Sequence, residues 1–210
     1  VAVGPATLDD LGIAADFAGN VFVCDYSNLR IRKVSTAGTI TTIAGNGNYS
    51  YSGDGGPATS ASMTYPRNVA VDGAGNVYIA DQNNYCIRKV DTFGIISTFA
   101  GNTIQGFSGD TGPATSAQLN WPSAVATDPA GNVYIADQNN HRIRKVNASG
   151  IISTVGGSGV QGYSGDGGLA TLAQLYSPLA ITIDGANNIV FSDTYNQRIR
   201  TICQTSCIAE

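Results

Sequence analysis

The residues that could do chemistry here are carboxylates, arginines, one histidine and four cysteines, and most recur at a fixed interval. Asp16, Asp72, Asp128 and Asp184 lie 56 residues apart. So do Asp25, Asp81, Asp137 and Asp193, and so do Arg32, Arg88, Arg144 and Arg200. Rings of equivalent carboxylates could hold a cation or trade protons. They could equally pair with the arginines. A catalytic group needs one special environment rather than four equal ones, and matched charges at matched positions favour pairing. Asp72, Asp81 and Arg88, with Asp128, Asp137 and Arg144, therefore read as structural Asp–Arg sets that tie strands together within each repeat. Ser108-Gly109-Asp110 and its copies could be read as a calcium loop. Such a loop needs several alternating oxygen ligands, whereas a single Asp repeats here, so a tight turn is the expectation. No catalytic residue, metal or cofactor is assigned.

The cysteines do not follow the repeat. Cys24 stands where the next two copies have Ala and reads as a small buried residue. Cys203 and Cys207 flank Gln204-Thr205-Ser206, and across a hairpin turn such positions approach disulfide distance. A structural disulfide, which implies an oxidising compartment, is expected over a C-x₃-C metal pair. Asn48-Tyr49-Ser50 and Asn147-Ala148-Ser149 are glycosylation sequons.

The elements that must position these residues come from the repeat itself. Gly19–Val34, Gly75–Val90, Gly131–Val146 and Asn187–Ile202 align without gaps, and a Ser-Gly-Asp block starting at Ser52, Ser108 and Ser164 repeats in phase. Within one period, Val69–Asp72, Val77–Ala80, Cys86–Val90 and Ile95–Phe99 read as short strands a to d separated by turn residues. No amphipathic helix of ten residues is present. Four-stranded units in series predict an all-β fold, a β-propeller of four tandem blades with a 56-residue period. One domain, 1–210, is expected, with blades at about 12–57, 68–113, 124–169 and 180–210, the last completed by residues 1–3. The segment from Pro113 to Leu119 is expected to make one or two helical turns, with Met63, Leu119 and Leu175 filling gaps between blades. Asn28, Asn84, Asn140 and Asn196 are expected to close the b–c turns.

The segment GNVYIADQNNHRIRKV and its copies resemble the NHL repeat, and the linked SGDGGPATSASM block is similar to the extended form found in many bacterial secreted and surface proteins. The resemblance covers almost the whole chain. It implies a propeller used mainly for binding, with a minority of enzymes. Some relatives are lyases that use a metal held by several His residues or a catalytic His on the axis. With a single His and no G-x-S-x-G pattern, the enzyme alternative narrows to a lyase or hydrolase centred on His141.

In a propeller the b–c and d–a connections emerge on one face. Eight of the ten tyrosines fall there, with Phe107, Trp121 and His141. Tyr26, Tyr51, Tyr85, Phe107, Trp121, His141, Tyr163 and Tyr195 are the candidate ligand-binding face, suited to a protein or glycan partner. Net charge is −4, and every Lys and Arg except Arg67 lies in the strand-c segment, so no basic patch exists for nucleic acid. No apolar run is long enough to span a membrane. An extracellular or cell-surface location is expected. The ends leave three alternatives: Val1-Ala2-Val3 completes the last blade within the chain, it completes a neighbouring copy in a homo-oligomer or filament, or the chain is part of a larger propeller.

Overall fold

The structure, a computed structural model, describes residues 12–203 and 208–209. It contains four antiparallel sheets of four strands each, ordered a-b-c-d. Blade 1 is β1 (Ile13–Ala15), β2 (Val21–Asp25), β3 (Arg30–Val34) and β4 (Ile40–Ala44). Blade 2 is β5 (Pro66–Val71), β6 (Val77–Asp81), β7 (Cys86–Val90) and β8 (Ile96–Ala100). Blade 3 is β9 (Pro122–Thr127), β10 (Val133–Asp137), β11 (Arg142–Val146) and β12 (Ile152–Gly156). Blade 4 is β13 (Pro178–Ile183), β14 (Ile189–Asp193), β15 (Arg198–Ile202) and β16 (Ile208–Ala209). Among the described residues, no helix is long and apolar enough to cross a membrane.

The cores lie between blades rather than within them. One hydrophobic cluster joins blades 1 and 2, a second joins 2 and 3, and a third joins 3 and 4. Met63, Leu119 and Leu175, each from a linker, sit fully buried in these three clusters. β6 and β10 are buried on both faces because a neighbouring blade covers each side. That is why Val-Tyr-Ile-Ala is apolar throughout instead of alternating. The end blades do alternate, in opposite phase: Phe22 and Cys24 are buried in β2, whereas Ile189 and Phe191 are buried in β14. Strands β1, β5, β9 and β13 stand side by side and line a common cleft of about 230 Å³.

The segment expected to form one or two helical turns forms one. Ala58–Ser60, Ala114–Ser116 and Ala170–Leu172 each make one tight three-residue turn. In the first two, the proline precedes the turn in extended conformation. Each linker is knit to the outer strand of the blade that follows it. The Thr111 N–H donates to Ile152 O, the Ile152 N–H to Gly112 O, and the Ala114 N–H to Gly150 O. Residues 55–58 bond to β8 and its turn in the same way. At blade 4 the Gly167 N–H donates to Ile208 O and the Ile208 N–H to Gly168 O, so the linker already occupies that edge. The sequence expected Val1-Ala2-Val3 at this strand; those residues lie outside the described part of the chain.

Candidate ligand-binding face

In blades 2 to 4 the strand-c arginine is fully buried between two carboxylates. Arg88 lies 3.6 Å from Asp81 and 2.6 Å from Asp54; Arg144 lies 3.3 Å from Asp137 and 2.8 Å from Asp110. Arg200 lies 3.1 Å from Asp193 and 2.6 Å from Asp166. The inner partner ends strand b and is itself buried, and it also accepts a linker backbone N–H, from Thr64, Asn120 or Tyr176. The outer partner is the Ser-Gly-Asp aspartate, which sequence reasoning had confined to a tight turn. Its clue was an Asp that recurs 34 residues before each of these arginines.

The other aspartate ring does not pair with arginine, contrary to expectation. Asp72 accepts the Asn76 N–H and side-chain amide and the Tyr78 hydroxyl, and Asp128 does the same with Asn132 and Tyr134. These aspartates cap the a–b turn at the opposite end of the blade. The turn asparagines differ as well. Asn84, Asn140 and Asn196 each donate to the aspartate ending strand b and to a linker carbonyl, at Ser50, Gly106 or Gly162. They close the b–c turn through the aspartate side chain rather than through the backbone, and they also tie it to the linker. Among the described residues, no three His, Cys, Asp or Glu side chains gather as a metal site would require.

Burial pushes Asp81 and Asp137 up to about 6 from the usual 3.8, against hydrogen bonds from Asn84 and Asn140 and the nearby arginines. For Asp54, Asp128 and Asp166 burial also raises the value, but hydrogen bonds and, at Asp54 and Asp166, neighbouring arginines outweigh it and hold them below the usual range. The first pair binds protons more tightly when folded, so its stabilisation is full below about pH 4 and lost as the pH rises through about 6. The second group does the reverse and loses its stabilisation as the pH falls below about 4. The melting temperature should therefore rise from pH 7 to about pH 5 and drop below about pH 4, which a calorimetric pH series would check. A curve that falls steadily from pH 7 downward would contradict it.

Of the expected face residues, three, though exposed, also serve the blade architecture. Tyr51, Phe107 and Tyr163 occupy one repeat position and lie over strand-c guanidinium groups. Tyr51 is 4.7 Å from Arg88, Phe107 is 3.7 Å from Arg142 and 4.8 Å from Arg144, and Tyr163 is 4.4 Å from Arg198. The Tyr51 and Tyr163 hydroxyls also donate to Asp54 and Asp166. Such cation–π contacts hold the linker down.

Six of the remaining side chains form two groups where b–c turns meet linkers. Tyr26 stacks on Tyr65 at 4.7 Å, and Tyr49 meets Tyr65 edge-on at 5.2 Å. The Asn83 amide donates to the Tyr49 hydroxyl. In the second group Tyr176 lies between His141, at 5.8 Å, and Tyr195, at 4.8 Å. Trp121 is exposed between these groups in sequence, at the repeat position of Tyr65. Tyr85 and His141 both hold left-handed conformations that end the b–c turn. Burial and Arg142 hold the His141 imidazole below its usual value, and its Nδ1 accepts the Ser177 N–H. The ring is thus neutral at pH 7 with the proton on Nε2.

Cys24, Cys86 and Cys203 are free thiols. Burial raises the first two well above the ordinary thiol value, which makes them inert. The expected bridge to Cys203 is not formed in this structure; Cys207 lies outside the described residues.

Tandem four-stranded blades, joined by linkers that seal blade edges, define an NHL-repeat β-propeller domain. Residues 46–108 and 103–161 match the family model described as the teneurin NHL domain, more than half of the chain, and the chain belongs to that family. It is 33% identical to teneurin-4 of Mus musculus over 155 residues, 61% of this chain and 6% of that protein. It is 29% identical to teneurin-1 of Homo sapiens over 178 residues, 77% of this chain and 6% of that protein. The chain thus spans only about 6% of the length of these relatives. Among solved structures it resembles a protein of unknown function from Bacteroides thetaiotaomicron, with a TM-score of 0.72 and 22% identity over 90% of this chain and 46% of that one. It also resembles a streptogramin B lyase, with a TM-score of 0.63 and 16% identity over 94% of this chain and 52% of that one. These distant likenesses establish the fold alone.

Proposed function

We infer that this domain is a non-enzymatic binding module of an extracellular or cell-surface protein, and that its loop face takes a protein ligand. The observation that carries the reading is the pair of aromatic groups, Tyr26–Tyr49–Tyr65 and His141–Tyr176–Tyr195. The repeat does not need them, since other blades have Gln, Asn, Thr or Ser at several of these positions. Tyrosine offers rigid apolar area with a hydrogen-bonding tip, which suits protein recognition. Membership of the teneurin NHL family supports a cell-surface setting. An enzyme centred on His141 finds less support, because Asp193, the carboxylate whose charge acts on the imidazole, is buried and already bonded to Tyr176 N, Asn196 and Arg200.

The test is to screen the purified domain against a panel of cell-surface ectodomains and a glycan array. Hits are then measured again with Tyr65→Ala and Tyr195→Ala. An aromatic anchor of this kind contributes about 2 kcal/mol or more, so affinity should fall roughly thirtyfold in at least one variant. Phe17→Ala, on the exposed a–b turn at the other end of the blades, should leave it unchanged. Equal binding by all three variants would move the site off this face. Glycan hits alone would replace the protein ligand with a carbohydrate.

A further inference from the structure

One hydrogen bond in the second aromatic group has no counterpart in the other blades. Leu29, Tyr85 and His141 occupy one repeat position, and each ends its b–c turn in a left-handed conformation, with φ of 54°, 53° and 52°. Tyr65, Trp121 and Ser177 share another position, at the ends of the linkers, and are also left-handed, with φ of 57°, 56° and 53°. Of the first three residues only His141 offers an acceptor: its Nδ1 takes the Ser177 N–H at 3.2 Å. Among the described residues, the N–H groups of Tyr65 and Trp121 have no such partner, yet their backbone takes the same shape. The fold therefore does not need this bond. What the bond holds is the imidazole ring, which stands edge-on to Tyr176 at 5.8 Å.

We propose that His141 is an acid-sensitive latch for this half of the loop face, closed at neutral pH and released by protonation of the imidazole. The proposal rests on the ligand-binding reading above and adds its regulation: a ligand taken up at neutral pH is let go in an acidified compartment. The geometry sets the direction. A protonated imidazole carries a hydrogen on both ring nitrogens, so Nδ1–H would face the Ser177 N–H, donor against donor. The linker cannot yield, because Ser177 is buried, the Tyr176 N–H is held by Asp193 at 2.6 Å and the Tyr176 carbonyl accepts the Tyr195 N–H at 3.2 Å. The charged groups around the ring do not relieve the clash. Arg142, next on β11, has the same sign as an imidazolium and is pinned by its bonds to the Asn140 and Ser158 carbonyls. Asp193, at the end of β14, is buried and occupied by Tyr176, Asn196 and Arg200. Tyr176 meets the ring edge-on, with Tyr195 beyond it. The imidazolium therefore swings out to water, and Tyr176 loses one of its two ring neighbours. Burial and Arg142 already hold the imidazole below its usual value, so the latch opens below the ordinary imidazole range of about 6.5.

The test is an NMR titration of the isotope-labelled chain from about pH 7.5 to about pH 5, which needs no ligand. His141 is the only histidine, so its signal is unambiguous. The Ser177 amide resonance should move with the His141 midpoint, and its hydrogen exchange, corrected for the intrinsic effect of pH, should rise roughly tenfold as the bond is lost. The amides of Tyr65 and Trp121 should not follow that midpoint. His141→Gln should keep the fold, since Gln197 stands at the same repeat position with φ of 57°, and should abolish the response at Ser177. A Ser177 amide that ignores the His141 midpoint, or that responds alike in His141→Gln, would overturn the latch. Any ligand found on this face is then measured at both pH values, and its affinity should fall roughly tenfold in acid for the wild type and stay level for His141→Gln. A bound ligand whose affinity ignores the titration would overturn the regulation and leave the binding reading standing. A latch that titrates as described on a face that binds nothing would support the latch and sink the binding reading.

Discussion

Arg144→Ala should lower the melting temperature at pH 7 by roughly 6–20 °C. Removing one partner of a buried ion pair costs about 3–5 kcal/mol, and each kcal/mol moves the midpoint of a chain this size by about 2–4 °C. The guanidinium is fully buried, and its loss leaves Asp137, also fully buried, with only the Asn120 N–H and the Asn140 amide. Asp110, about one-third exposed, turns to water and costs little. The phenyl ring of Phe107 loses the farther of its two cations and keeps Arg142, so the linker loosens only a little. Replacing both inner partners with apolar residues, Arg144→Met with Asp137→Leu, should recover much of the loss, because no buried charge is then orphaned. Differential scanning calorimetry of the three proteins decides the matter. An unchanged midpoint for Arg144→Ala would show that the buried charges do not hold the blade together.

Gly157→Ala should be nearly as damaging, for a steric reason. Gly157 has φ near +86°, and a β-carbon there would stand 2.2 Å from the carbonyl oxygen of His141 and 3.0 Å from Arg142 Cα. Backbone cannot retreat as a side-chain tip can. The left-handed conformation costs about 1–2 kcal/mol for a residue with a β-carbon, and forcing the overlap adds about 1–3 kcal/mol. Gly150→Ala is the control. It has φ near +77° but nothing within 4 Å, so only the conformational part applies. Chemical denaturation of both should show Gly157→Ala the more destabilised by at least about 1 kcal/mol. Equal losses would mean that the crowding at His141 relaxes at little cost.

The blades were legible in the sequence because each strand is written four times. Even a strand such as Val133–Asp137, too apolar to show alternation, is identified by its copies. What one-dimensional reading missed was the partner across space. Asp110 and Arg144 are 34 residues apart, and nothing local to Ser-Gly-Asp says that its carboxylate reaches the blade ahead. The same blindness hid the contacts of Tyr51, Phe107 and Tyr163 with the strand-c guanidinium groups. Their common spacing of 56 residues marks them as part of the repeat, whereas Tyr49 and Tyr65 have no aromatic pair at the equivalent positions of the other linkers. Asp72 and Asp81 illustrate a third limit. Both recur in every blade, but only the geometry separates the aspartate that caps a turn from the one that meets an arginine.

The linker that seals each outer edge also sets the order in which a blade can finish folding. Asp110 leaves the ribosome well before the residues it will grip: Arg144 follows 34 residues later, and Thr154, whose hydroxyl it accepts, 44 residues later. Until β12 emerges, the linker lies only against β8 of the blade before it, and the sheet of blade 3 has no outer member. One event, the arrival of that strand, then completes the sheet and fastens the linker together. Every such contact falls inside a single 56-residue window, so each unit can mature as it is synthesised, without waiting for the far end of the chain. A segment of linker plus following blade, beginning near Ser52, Ser108 or Ser164, therefore holds these contacts within itself. A duplication cut at strand a would deliver a blade whose outer edge arrives unsealed.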